Sequence, residues 1–318
     1  MKFISADSVL TRRDDFKSIL ESVTKDGTIV SKDIAIGEFT TLRTGGRADW
    51  FTEPNTHRDL AALIKACREY DLPVTVLGLG SNFLVVDSGV RGLTVRLKNK
   101  QFADIETNGN HIRCGAGARM KKVAIEAKTN CLSGMEFLEG IPGTIGGGLR
   151  MNAGAWGSEM FQLVESISYM DMGGEIFEIG IREIDFSYRC CSLLQNHIAL
   201  QATLLGQPDR FETIADRMDS YSKKRWNAQP KARSAGCIFK NPDLIPAGQL
   251  IDQLGLKGVS EGGAMVSEEH GNFIVNKGGA TAKDFLKLIE HIRQRAYDER
   301  GVDLKTEVQI IGGVKNHG

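Results

Sequence analysis

Apolar residues recur with two periods along this chain, and the switch from one to the other marks out most of its elements. A helical spacing runs through residues 8–23 and returns at Leu60, Leu63, Ile64 and Cys67, behind the capping-box pattern Thr56-x-x-Asp59. It predicts further helices near 118–130, over the polar stretch 210–229, and over 248–254. A long helix is expected behind Thr281-x-x-Asp284, where Phe285, Leu288, Ile289, Ile292 and Ala296 share one face and Gly301 sits at the C-terminus. Short apolar runs predict strands at 72–77, 83–86, 93–97, 111–114, 163–170, 175–179, 197–205, 271–275 and 304–311. Residues 24–36 read as a polar connection and Gly45-Gly46 as a sharp turn. The result is α+β in each of three successive regions, with no internal repeat.

Composition narrows the function without naming it. The 318 residues are 41% hydrophobic and 25% charged, as in an ordinary globular protein of two or three domains. Forty basic and forty acidic residues cancel, so no one-sign field draws the chain to nucleic acid or to an anionic membrane. The six cysteines have neither Cys-x-x-Cys spacing nor a partnered His pair, which argues against a metal site and against a disulfide framework. No signal-length or 18-residue apolar run occurs, and a cytoplasmic location is expected.

Candidate chemistry begins with glycine. Residues 134–157 hold eight glycines, and 140–157 hold no acidic residue. A neutral-to-basic, glycine-dense segment lets backbone N–H groups converge on an anion such as a pyrophosphate. A flexible linker would not interleave Ile141, Ile145, Leu149, Met151 and Trp156. A second glycine loop, Gly78-Leu-Gly-Ser-Asn82, follows the strand at 72–77. It fails as a Rossmann turn, because position 83 is Phe and residues 98–100 are Lys-Asn-Lys where an acidic residue is required. No cluster continues as Gly-Lys-Ser/Thr, so a Walker loop fails too. Two glycine loops about sixty residues apart suggest a cofactor diphosphate clamped between subdomains.

The sequence 77–87, followed by Gly140-Ile-Pro-Gly-Thr-Ile-Gly-Gly and Met151-Asn-Ala-Gly154, resembles the paired FAD-binding loops of the UDP-N-acetylenolpyruvoylglucosamine reductase (UDP-N-acetylmuramate dehydrogenase) family. Residues 41–46, Phe186-Ser-Tyr-Arg189, Gly236-Cys-Ile-Phe-Lys-Asn-Pro242, Ala247-Gly-Gln-Leu-Ile-Asp252 and Thr306-Glu-Val-Gln309 extend the resemblance, in order, from about residue 30 onward. It implies a two-subdomain FAD-binding fold of the vanillyl-alcohol-oxidase type, over 1–97 and 98–211, plus a C-terminal α+β domain for the UDP-sugar over 212–318. The short 152–156 segment resembles the subtype without the tyrosine loop. The implied reaction is NADPH-dependent reduction of UDP-N-acetylglucosamine enolpyruvate in peptidoglycan precursor synthesis, by a monomer with no nucleic-acid or membrane partner.

The implied FAD contacts are Gly78, Leu79, Gly80, Ser81, Asn82, Gly143, Thr144, Gly146, Gly147, Asn152, Ala153 and Gly154. Hydride delivery to a double bond conjugated to a carboxylate builds charge on that carboxylate, so a fixed donor there stabilises the transition state selectively. Arg189 and Glu307 match the family's residues for this role, Glu307 in protonated form, although strand alternation alone leaves open whether Glu307 faces a site or water. Cys237 stands where many members of the family carry the serine that protonates carbon, and a thiol, with an ordinary pKa of about 8.5, can donate as well. Asn241 matches a substrate contact. His270 lies near another, and Lys223, with Lys224 and Arg225, either meets the UDP diphosphate or forms a solvated helix face. An alcohol or sugar oxidase of the same flavin fold is the competing enzyme reading.

Overall fold

A computed structural model describes residues 16–313. The helical expectation for residues 8–15 lies outside that range, while residues 16–23 are helical. The other predicted helices are present as His57–Glu69, Met120–Thr129, Phe211–Ala228, Ala247–Gln253 and Ala282–Arg300, and three short helices that the spacing does not predict add to them, Lys100–Ala103, Ile145–Arg150 and Leu193–Asn196. The last of these has both halves of the Thr281/Asp284 capping box, and it ends on Gly301 in a left-handed conformation (φ 66°).

The Thr56/Asp59 box is only half made. Thr56 accepts the Asp59 N–H, but the Asp59 carboxylate turns away to accept from the Lys25 and Asp26 N–H groups and the Thr28 hydroxyl. Buried at 1% exposure, Asp59 thereby fixes the incoming chain to the helix start. That chain segment is also more ordered than its polarity suggests. Residues Val30–Ala35 form a strand antiparallel to Arg47–Thr52; Lys32, between Val30 and Ile34, breaks the apolar alternation, and Asp33 takes a left-handed conformation (φ 56°).

Three sheets organise the molecule. The first runs Val30–Ala35, Arg47–Thr52, Val90–Arg96, Val74–Leu77, with the last three strands parallel. The second is antiparallel, in the order Ile176–Gly180, Val164–Met170, Ile198–Leu205, His111–Gly115, Ile105–Asn108. The third, also antiparallel, runs Ser234–Cys237, Phe273–Asn276, Ala264–Val266, Ser260–Glu261. The first two sheets share one large apolar core, which includes Leu60, Ile64, Phe102, Val123, Phe137 and Leu200. A separate core, around Ile238, Phe239, Phe285, Ile289 and Ile292, belongs to the third sheet and its helix Ala282–Arg300.

The expected strand at 304–311 is shorter. Only Gln309–Ile311 is a strand, parallel to Phe83–Val85, while Thr306 makes an isolated bridge to Phe239. Residues 306–309 change partners midway. The N–H groups of Glu307 and Val308 both point to the Ile238 carbonyl, and the next residue, Gln309, donates to Asn82. Glu307 sits at this handover, between the third sheet and the first glycine loop. Asp87 ties the same two regions together, its carboxylate accepting the Ala282 and Lys283 N–H groups at 2.9 Å each. No helix among the described residues is long and apolar enough to cross a membrane.

Candidate active site

A cleft opens where the two glycine loops meet. Gly80 turns the first loop in a left-handed conformation (φ 66°), and a Cβ there would stand 2.3 Å from the Phe39 carbonyl oxygen, so only glycine fits. A Cβ on Gly78 would stand 2.6 Å from the Thr144 hydroxyl, so the loops approach at backbone contact. The Ser81 hydroxyl donates to the Pro142 carbonyl and Thr41 donates both to Gly80 and to Ser234, which bolts the first loop to the second and to the third sheet.

The loops divide their work unequally. Among the described residues, the N–H groups of Leu79, Gly80, Ser81 and Asn82 have no protein acceptor. In the second loop the N–H groups of Ile145, Gly146, Gly147 and Gly148 are already bonded, to Ala118, Ala116 and the Thr144 side chain and carbonyl. The helix start of the second loop therefore packs, while Leu79–Asn82 of the first loop supply four free donors. Apolar Met120, Ile141, Pro142 and Met151 line the rest of this inner cleft, together with Arg150, whose guanidinium donates to the Leu194 and Gln195 carbonyls. A row of unspent backbone donors beside apolar walls suits a dinucleotide with a pyrophosphate and a flat ring system, so the residues present fit FAD.

Of the twelve residues expected at the cofactor, ten line the cleft; Gly146 and Asn152 do not. Gly146 backs onto Ala116. Asn152 is fully buried, with its amide donating to Glu159 and to the Ser187 carbonyl and its oxygen accepting from Phe161. Both are spent inside the protein.

At one end of the cleft, Arg189, Cys237 and Glu307 come together from three distant segments. Arg189 is the second residue of a two-residue loop between Phe186–Ser187 and Cys190–Cys191, at φ 56°, a conformation that costs a non-glycine residue about 1–2 kcal/mol. Its Nε donates to Glu307 Oε1 at 2.8 Å, and both side chains are under one-fifth exposed. Its Nη2 donates to the Gly154 carbonyl, and its guanidinium lies 4.9 Å from the Tyr188 ring centre. Burial raises the Glu307 carboxyl above the ordinary carboxylate range even though Arg189 pulls it down. Burial and the Glu307 charge together push the Cys237 thiol up to about 12. The thiol is thus a weaker acid than its residue type suggests, and it stays fully protonated at neutral pH. The strand Gln309–Ile311 decides where Glu307 faces, which alternation could not.

Beyond Cys237 and Glu307 the cleft widens into an outer chamber lined by Trp156, Trp226, Arg225, Lys231 and Arg233. Trp156 turns the hairpin between Gly154–Ala155 and Ser158–Glu159, with Trp156 and Gly157 both at positive φ, as a two-residue I′ turn requires. Its ring stacks on Tyr221 at 6.0 Å with an interplanar angle of 7°, and Lys224 lies over both rings. Asn241, Lys223 and His270 line neither part of the cleft. The Asn241 side chain accepts the Ala247 N–H at the start of a helix. His270 packs edge-on against Phe273 and accepts the Asn272 N–H, and Lys223 is exposed. The outer cations Lys231 and Arg233 escape a motif search. Their signal is weaker: two basic residues between the helix-ending Pro230 and the Ser-Ala-Gly-Cys237 strand. Among the described residues no group of three or more His, Cys, Asp or Glu side chains could hold a metal.

Residues 229–311 match the family model of the UDP-N-acetylenolpyruvoylglucosamine reductase C-terminal domain, and residues 48–180 match that of an FAD binding domain. The UDP-N-acetylenolpyruvoylglucosamine reductase of Clostridium novyi is 38% identical over 302 residues, covering 94% of this chain and 97% of that one. The corresponding protein of Paramagnetospirillum magneticum is 42% identical over 284 residues, covering 89% and 92%. The crystal structure of the Thermus caldophilus enzyme superposes with a TM-score of 0.79 at 36% identity, over 90% of this chain and all of that one.

Proposed function

The chain belongs to the UDP-N-acetylenolpyruvoylglucosamine reductase family, and on that premise we infer that it reduces UDP-N-acetylglucosamine enolpyruvate to UDP-N-acetylmuramate for peptidoglycan precursor synthesis, using FAD and NADPH. The observation that carries a residue-level account is the Arg189–Glu307 bond at the end of the glycine cleft, with the Cys237 side chain lining the same space.

When bound, FAD would supply the hydride chemistry between NADPH and one carbon of the enolpyruvyl double bond. The protein does the rest. Arg189 and Glu307 flank the substrate carboxylate, where the electrons of the broken π bond collect. Arg189 offers its fixed charge, and Glu307, whose carboxyl burial raises above the ordinary carboxylate range, offers a hydrogen bond when it carries its proton. Both interactions strengthen as the enolate forms, so they lower the barrier rather than merely bind. Cys237 then releases its thiol proton to the second carbon, and its high pKa keeps that proton in place until a carbanion-like centre is there to take it. The free N–H groups of Leu79–Asn82 would hold the pyrophosphate of the cofactor. The same reading divides the chain near residues 97 and 211, with a monomer working in the cytoplasm.

The test is a yellow holoprotein whose flavin bleaches with NADPH under anaerobic conditions and recovers its absorbance when the enolpyruvyl UDP-sugar is added. Bleaching without recovery refutes the substrate. Indifference to NADPH, with oxygen uptake on an alcohol or sugar, replaces this reading with the oxidase alternative.

A further inference from the structure

Glu307 stands outside any ladder. The strand of its segment begins only at Gln309, and Thr306 makes a single bridge, so no continuous pairing fixes the direction of the side chain between them. Individual hydrogen bonds hold its peptide groups instead. The Glu307 N–H donates to the Ile238 carbonyl at 2.8 Å. The Glu307 carbonyl accepts two side-chain amides, Nδ2 of Asn82 and Nε2 of Gln309, at 3.1 Å each. The Asn82 carbonyl in turn accepts the Gln309 N–H at 2.9 Å, which closes a ring of contacts among residues 82, 307 and 309. Asn82 is thus divided between two tasks. Its N–H has no acceptor among the described residues and is open to the cofactor, whereas its carbonyl and side chain are spent on the segment that carries Glu307.

We propose that Asn82 is a positioning residue for Glu307, its side-chain amide and that of Gln309 forming a clamp that holds the Glu307 carboxyl against Arg189. This deepens the function proposed above and rests on the role given there to Glu307. The two amides back each other up, because either donor alone still satisfies the carbonyl. With both gone, the peptide is free to turn, and a reacting group displaced by about 1 Å loses up to about 10²-fold in rate. The charges that act on this carboxyl are Arg189, from the hairpin, and Lys240, just beyond the strand Ser234–Cys237, with the neutral Cys237 thiol beside it. Burial is what raises the carboxyl, so a side chain released towards water titrates lower.

The experiment compares Asn82→Ala, Gln309→Leu and the double variant by anaerobic stopped-flow, with the two half-reactions taken separately. Each single variant slows oxidation of the reduced flavin by the enolpyruvyl UDP-sugar about threefold more than it slows reduction by NADPH, and the double variant does so by about thirtyfold or more. The pH above which oxidation declines moves down in the double variant, since the rate needs the protonated carboxyl. The FAD Kd of the apoprotein, followed by quenching of flavin fluorescence, rises less than about threefold in all three, because the Asn82 N–H survives. In a Glu307→Ala background, where no carboxyl remains to be placed, the double substitution costs less than about twofold more.

Equal slowing of both half-reactions overturns the proposal. So does a rise in FAD Kd of about tenfold with the ratio of the two rates unchanged, which would make Asn82 a cofactor contact alone, or a full penalty in the Glu307→Ala background. Should the double variant fail to fold, the single variants decide by the same ratio. Wild-type flavin that bleaches with NADPH and is not reoxidised by the enolpyruvyl UDP-sugar refutes the proposed reaction, whereas wild-type reoxidation in the double variant refutes the clamp alone.

Discussion

The inner cleft and its reacting end are built from opposite materials. The inner cleft is backbone: glycines that let two loops touch, and four N–H groups left without acceptors. The reacting end is side chain: Arg189 from a strained hairpin, Cys237 from the third sheet, and Glu307 from a segment that crosses between sheets. Backbone geometry needs a contiguous sequence, because neighbouring amides can converge only along one loop. Side-chain chemistry needs only proximity, which the fold supplies from residues over a hundred positions apart, as between Arg189 and Glu307 (118). The first kind of site is therefore written locally and the second is not.

Five substitutions at four positions test that contrast. The largest effect belongs to the reacting end. Cys237→Ala slows the oxidation of reduced flavin by the enolpyruvyl substrate about 10²- to 10⁴-fold, the range for losing a general acid, while NADPH still reduces the flavin at the wild-type rate. Cys237→Ser retains a substantial part of the first rate; anaerobic stopped-flow measures both. In the backbone region the corresponding change is Gly80→Ala, which forces a Cβ against the Phe39 carbonyl and costs about 3 kcal/mol or more, with loss of bound flavin. Gly109→Ala is its control: φ is similar at 57° but nothing lies within 4 Å, and about 1 kcal/mol is expected. Urea denaturation compares the pair, and equal costs would mean that loop contact is not what selects glycine at 80.

Asp87→Ala acts on the seam between the two materials. Removing the carboxylate that caps Ala282 and Lys283 costs about 1–2 kcal/mol by the same measurement. A further effect is titrational. The folded thiol of Cys237 sits near 12 against an ordinary value of 9.0, so its stabilising contribution is complete below pH 9 and is lost as pH rises towards 12. Cys237→Ser should lessen the alkaline fall in the urea midpoint over that window. Some fall should persist, because Cys67 and Cys114 are raised to about 12 as well.

The same division explains what could be read from the residues alone. The Thr281/Asp284 box, the Leu60–Cys67 stripe and the glycine loops are local signals, and each has its structure where expected. Asp59 shows how such a signal bends: its spacing announces a capping box, yet a buried carboxylate is better satisfied by three donors from residues 25–28 than by one N-cap N–H. The strand Val30–Ala35 was hidden because Lys32 stands between Val30 and Ile34 in its alternation. At the site, Asn241 and His270 satisfy neighbouring backbone groups rather than face the cleft, and Lys223 shares a basic run with Arg225 but not its helix face. A run of charge says nothing about direction. The orientation of Glu307 depended on a pairing with Asn82 and Phe83 that no local pattern encodes.

That pairing carries a cost in chain entropy. The Asn82 amide meets the Glu307 carbonyl across 225 residues, and the glycine loops join across about sixty, through Ser81 and Pro142. Closing the longer loop costs about 1 kcal/mol more chain entropy than closing the shorter, so bringing Glu307 to the reacting end is the harder of the two closures.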